Sequence, residues 1–255
     1  MNIGSVTAAA TFTLIILLAQ SVAGEAAEIK VLCANAMGLV MNELGPQFER
    51  ATGHKLVIQF DVNDVLKRQI DAGDGFDVAI LTTPTIDNLA KGGKIAASTR
   101  ADIARSGIGV IVRSGAPKPD ISSAEAFKRA LLNARSITLT KNTPSASYVV
   151  GLTERLRIAE QMKPKTRFLE GSDNLDAVAA GEAELGFVMI GGFAPMAGVE
   201  LLGPLPPELQ NYVGYTVGVG VHAKEGEAGK AFINFLKAPA AVPVLKAKGM
   251  EPITP

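Results

Sequence analysis

The sequence predicts an α/β protein with mostly parallel strands, folded as two lobes, and three observations carry that expectation. Short apolar runs alternate with amphipathic helical stretches along nearly the whole chain, the rhythm of βαβ units. A separate apolar segment at the N-terminus stands outside that rhythm. Two long strand candidates, at 107–113 and 212–221, divide the remainder into comparable blocks and mark the crossings between lobes.

The elements follow in order. Residues 6–19 are uncharged and apolar, too short for the ~20 residues of a bilayer span. With Ser21-Val22-Ala23 after them, they read as a secretory signal peptide over 1–23, cleaved after Ala23 and sending the mature chain to the periplasm. IKVLC (29–33) is the first strand, and its pattern buries Cys33. The next helix carries Leu39, Leu44 and Phe48 on one face, with Pro46 inside it as an expected kink. KLVIQF (55–60) leads to a helix from Asp64 with Leu66 and Ile70, ending near Gly73. FDVAIL (76–81) is followed by a helix with Thr83 as N-cap, Pro84 at its first position and Gly92-Gly93 past its end. After GIGVIV (107–112), Ser122-Ser123-Ala124-Glu125 forms a capping box ahead of Phe127 and Leu131.

The second half repeats the pattern. SITLT (136–140), TRFLE (166–170) and LGFVMI (185–190) are strands, each followed by polar turn residues. Helices through Val149 and Leu152, and through Leu175 and Val178, lie between them. A Gly/Pro-rich linker precedes YVGYTVGVGV (212–221), and a helix with Phe232, Phe235 and Leu236 closes the chain. The expected division is residues 24–105 plus 222–255 for the first lobe and 106–221 for the second.

Composition narrows the chemistry. Of 255 residues 47% are hydrophobic, and 25 Lys+Arg balance 25 Asp+Glu, so disorder is excluded and nucleic-acid binding disfavoured. One Cys and two His exclude an intrachain disulfide and the common zinc sets. There is no G-x-S-x-G elbow; GEAGKA (226–231) has the wrong spacing for a phosphate loop, and the GxG pairs lack a third glycine. Asp71, Asp74 and Asp77 lack the spacing of a calcium loop. His54 and His222 read as surface residues. The expectation is a binding protein, not an enzyme, with no metal and no cofactor.

The residues also carry a resemblance. IKVLCANAM, QFERATGHKLVIQF, LKRQIDAGDGFDVAI, VAAGEAELGFV and KAFINFLKAPAAVPVLKAKGMEP are similar, in order, to segments of the bacterial extracellular solute-binding proteins of ABC importers, specifically the molybdate-binding-protein family. The resemblance implies a type II periplasmic-binding-protein-like fold with the ligand in a cleft between lobes. It also implies a small-molecule or oxyanion ligand, an ABC permease in the inner membrane as partner, and a monomer. The alternatives are a genuine molybdate or tungstate binder, or a sensor or enzyme on the same scaffold.

Ligands of open α/β sheets sit at the carboxyl ends of strands, against helix N-termini. That rule and the resemblance select Asn35, Ala36, Asn63, Asp64, Thr82, Ser145, Ala146, Asn174 and Met189 as ligand-binding residues. The family's serine pair after the first strand is Asn35-Ala36 here, its serine-rich turn is Val62-Asn63-Asp64, and a later tyrosine aligns with Met189. If Asp64 faced a dianion at ~4 Å, repulsion would reach about 8 kcal/mol at an effective dielectric of 20. Nanomolar binding amounts to only about 12 kcal/mol. The expected ligand is therefore a neutral or cationic solute rather than molybdate.

Overall fold

The computed structural model describes residues 26–253, so the expected signal peptide lies outside the described residues. The chain runs β1 (Glu28–Ala34), α1 (Gly38–Thr52), β2 (Lys55–Asp61), α2 (Asn63–Ala72), β3 (Val78–Thr82), α3 (Thr83–Lys91) and a thirteen-residue β4 (Ala101–Arg113). It continues through α4 (Ala124–Asn133), β5 (Ile137–Thr140), α5 (Pro144–Arg155), α6 (Ala159–Met162), β6 (Thr166–Leu169), α7 (Asp173–Ala179), β7 (Leu185–Met189) and β8 (Val199–Pro204). Then come β9 (Tyr212–Val219), α8 (Gly226–Lys237), α9 (Val242–Ala247) and β10 (Glu251–Pro252).

The strands lie in the order β2-β1-β3-β9-β4-β7-β5-β6, with β8 and β10 also on β4. β1 pairs parallel with β2 and β3, and β5 pairs parallel with β6 and β7. β3 is buried at all five positions, as a strand covered on both faces must be. One core gathers Ile29, Phe48, Ile80, Val217 and Phe232; a second gathers Val110, Phe127, Leu139, Val149 and Phe187. Full burial of each such side chain stabilises by about 1.5–3 kcal/mol. These two cores mark the two lobes, and a smaller third cluster of Ile111, Val178, Ala183 and Val199 lies with the second.

β4 belongs to both. Residues 101–107 pair antiparallel with β9, and residues 108–111 pair antiparallel with β7. The crossing expected near 107 is therefore one unbroken strand, longer at its N-terminal side than the sequence suggested. The second crossing differs from the expectation. Residues 212–219 pair with β3 and β4, and Tyr215, Val217 and Val219 sit in the first core, so β9 belongs with the first lobe and not with 106–221. The physical reason is the pairing itself: a strand seated between β3 and β4 buries its inward side chains on that side. The return passes just before β9, where the Gln210 amide grips the outgoing strand. Its Nε2 donates to Ile108 O at 3.0 Å, and its Oε1 accepts from Ile108 N at 2.9 Å and Asn211 N at 2.9 Å.

Local chemistry shifts other boundaries slightly. Ser123, not Ser122, caps α4, its hydroxyl accepting from Ala126 N at 3.2 Å. Thr82 occupies the N-cap position of α3, one residue before the expected Thr83. α1 continues through Pro46. The linker before β9 contains β8, which pairs antiparallel with β4 on the edge opposite β7. Asp77 binds backbone rather than a cation: its carboxylate accepts from Lys30 N at 2.8 Å and Glu225 N at 3.0 Å.

Gln210→Ala should destabilise the protein by about 1–3 kcal/mol, because the Ile108 N–H and carbonyl lose their partners in a part-buried crossing. Gln210→Glu keeps the acceptor but sets a carboxylate oxygen against the Ile108 carbonyl, so it should cost at least as much. Urea denaturation followed by circular dichroism measures both.

Candidate functional site

The parallel strands of both lobes end at one cavity of about 300 Å³. From the first lobe, β1 delivers Ala34 and then Asn35 and Ala36 in the 3-10 turn that leads into α1. The β2–α2 junction delivers Val62 and Asn63, and β3 delivers Thr82. From the second lobe, the β5–α5 turn contributes Thr140, Asn142, Thr143 and Ser145, the β6–α7 turn Gly171, Ser172 and Asn174, and β7 Phe187 and Met189. Gly192 closes one side, packed so tightly that a Cβ there would lie 2.9 Å from Ala36 Cα. A larger concavity, about 510 Å³, lies at the opposite ends of β5 and β7, around Arg113, Arg129 and Arg135. Its walls come from the second lobe alone, so it is not the cleft.

Seven of the nine residues selected from the sequence line this cavity: Asn35, Ala36, Asn63, Thr82, Ser145, Asn174 and Met189. Asp64 and Ala146 do not. Asn63 is the first residue of α2 and turns inward; Asp64 lies about 100° further round the helix and is exposed outside the cavity. It makes no cap either, because Val62 holds that position. Ala146 is on the inner face of α5, in the second core.

Several side chains at the walls are already engaged. Asn63 Oδ1 accepts from Thr82 N at 3.0 Å and from the Thr82 hydroxyl at 3.2 Å, while its Nδ2 donates to Thr85 Oγ1 at 2.8 Å. That amide fastens α2 to the β3–α3 junction. Thr143 caps α5 by accepting from Ala146 N, donates to Thr140 O at 2.7 Å, and lies 3.1 Å from the Ser145 hydroxyl. Asn142 holds the left-handed turn before them at φ 58°.

No local signal selects Tyr215, in the interior of β9, yet it lines the cavity and is only 2% exposed. The carboxyl-end rule points to loops after parallel strands, whereas an antiparallel strand inserted between β3 and β4 reaches the cleft with its middle. Burial, with Cys33 beside it as a smaller cause, pushes the Tyr215 phenol up, so it stays a neutral donor at physiological pH. Burial likewise pushes the Cys33 thiol up.

Among the described residues no Asp, Glu, Lys, Arg or His lines this cavity. The walls offer amides, hydroxyls and backbone, and the N-termini of α2 and α5 open onto them through Asn63 and Ser145. Such ends carry unsatisfied N–H groups and partial positive charge, which favour an anion.

The profile described as bacterial extracellular solute-binding protein matches residues 29–251. The molybdate-binding protein of Azotobacter vinelandii is 31% identical over 241 residues, covering 89% of this chain and 91% of that one. A protein named aconitate isomerase, from a Pseudomonas species, is 27% identical over 230 residues, 88% of each chain. The solved structure of the sulfate-binding protein of Mycobacterium tuberculosis has this fold, with a TM-score of 0.72 at 16% identity over 90% of this chain and 88% of that one.

A buried, neutral Cys33 should resist alkylation. Iodoacetamide at about pH 8 should leave the native protein unlabelled and add one label per chain in concentrated guanidinium, as read by intact mass. Labelling of the native protein would show that the first core opens around β1.

Proposed function

Because this chain belongs to the bacterial extracellular solute-binding proteins of ABC-type transport, related to the molybdate binders, we propose that it captures a small anion in the inter-lobe cleft and hands it to an inner-membrane permease. The observation that carries the reading is the chemistry of the walls: neutral donors and helix N-termini from both lobes, with no ionised side chain lining the cavity among the described residues. Each helix end contributes up to about 2 kcal/mol, and each hydrogen bond to a charged group about 1.5–3 kcal/mol. Four such contacts reach the ~8 kcal/mol of a micromolar complex.

The outward position of Asp64 removes the premise for expecting a neutral or cationic solute. A cation would meet the positive ends of two helices without a carboxylate to balance them. Size separates the anions. A cavity of about 300 Å³ lies at the lower end of the ~300–1,000 Å³ range for organic ligands, and a tetrahedral oxyanion leaves much of it unfilled. A small carboxylic acid suits it better than molybdate.

The relative named aconitate isomerase supplies a second reading, proton transfer on a bound polycarboxylate. General acid–base work at neutral pH needs a group titrating near neutrality. Tyr215, the titratable side chain at the described walls, has its phenol raised instead, which supports capture over catalysis.

A thermal-shift screen across oxyanions, di- and tricarboxylates, amines and sugars tests the proposal. A binding anion at 100 times its Kd should stabilise the protein by about 2.7 kcal/mol. Shifts confined to amines or sugars would overturn the anion reading. Conversion between cis- and trans-aconitate by the pure protein, followed by NMR, would replace capture with catalysis.

A further inference from the structure

Two buried polar side chains at the cleft have a group without a protein partner among the described residues, and the two groups are of opposite sense. Asn174, near the start of α7, is 1% exposed; its Nδ2 donates to Phe187 O on β7 at 3.1 Å, which fixes which way the amide faces. Its Oδ1 is then a buried acceptor with nothing to accept from. Buried acceptors are nearly always paired, so an orphan in the wall of a cavity calls for a donor supplied from outside the protein. Across the cleft, the Tyr215 hydroxyl on β9 meets no hydrogen-bonding partner among the described residues, while its ring is held in the first core. The other orphaned acceptor, Glu200 Oε1, is on β8, where its partner oxygen pairs with Lys118 at 3.1 Å, outside this cavity.

A bare dianion such as molybdate or sulfate can satisfy Tyr215 but has no proton for Asn174. Resting on the reading of the cleft as an anion site, we propose that its ligand is a hydroxylated carboxylic acid: Tyr215 donates to a carboxylate oxygen and Asn174 Oδ1 accepts from the alcohol. The acid then links the lobes, with one contact on β9 and the other on α7. An acceptor that is unsatisfied without the alcohol discriminates by what the wrong ligand leaves unpaired, and that form of selection is strong.

Calorimetric titration with matched pairs decides the matter: citrate against tricarballylate, and malate against succinate, each pair differing by one hydroxyl. The wild-type protein should bind the hydroxylated member of at least one pair about tenfold or more tightly. Asn174→Leu should bring that ratio to within about twofold, with folding checked by circular dichroism. Asn174→Asp keeps an acceptor and adds charge, so both members should weaken while the preference survives. Tyr215→Phe should weaken both members alike and leave the ratio intact. If the wild-type protein binds both members of each pair equally, the inference fails and the anion site stands; that comparison needs no variant. If it binds none of these acids and no oxyanion, the anion site itself is wrong.

Discussion

The continuity of β4 through both sheets is the constraint on which the rest depends. A single strand that pairs with β9 over 101–107 and with β7 over 108–111 fixes the register of one lobe against the other. It sets the ends of β1, β2 and β3 opposite those of β5, β6 and β7, and the cavity is the space between those ends. The Gln210 amide on Ile108 holds the outgoing and returning chains together where the lobes join. Two adjacent crossings allow rotation about the joint and resist sliding, the geometry of hinge closure.

On the proposed reading, a cleft lined by no ionised side chain among the described residues favours an anion through its helix starts. Asn63, Thr82, Thr85 and Thr143 spend their hydrogen bonds holding helix starts in place. The oriented N–H groups then supply the attraction, at no cost of desolvating an ionised side chain. Of the buried wall groups, Asn174 Oδ1 and the Tyr215 hydroxyl are the ones the proposal assigns to reading what the anion carries.

Much of this was legible in the sequence because its signals are local. Strand–helix alternation, the Gly73 stop at φ 97° and the polar turns after β1, β2, β5 and β6 each depend on a few neighbouring residues. What stayed hidden depends on distant pairing. The run 212–219 reads equally well as a strand of either lobe, and only its place between β3 and β4 assigns it and brings Tyr215 to the cleft. β8 is hidden in a Gly/Pro-rich stretch because its pairing to β4 is long-range. The outward turn of Asp64 follows from helix phase once α2 is seen to begin at Asn63 rather than at Asp64.

Small-angle X-ray scattering most directly tests whether one ligand joins both lobes across this joint. Titrating the protein with the acid that gives the largest thermal shift should lower its radius of gyration as the site fills. A thermal shift at saturation with an unchanged scattering curve would place the ligand on one lobe and contradict the account.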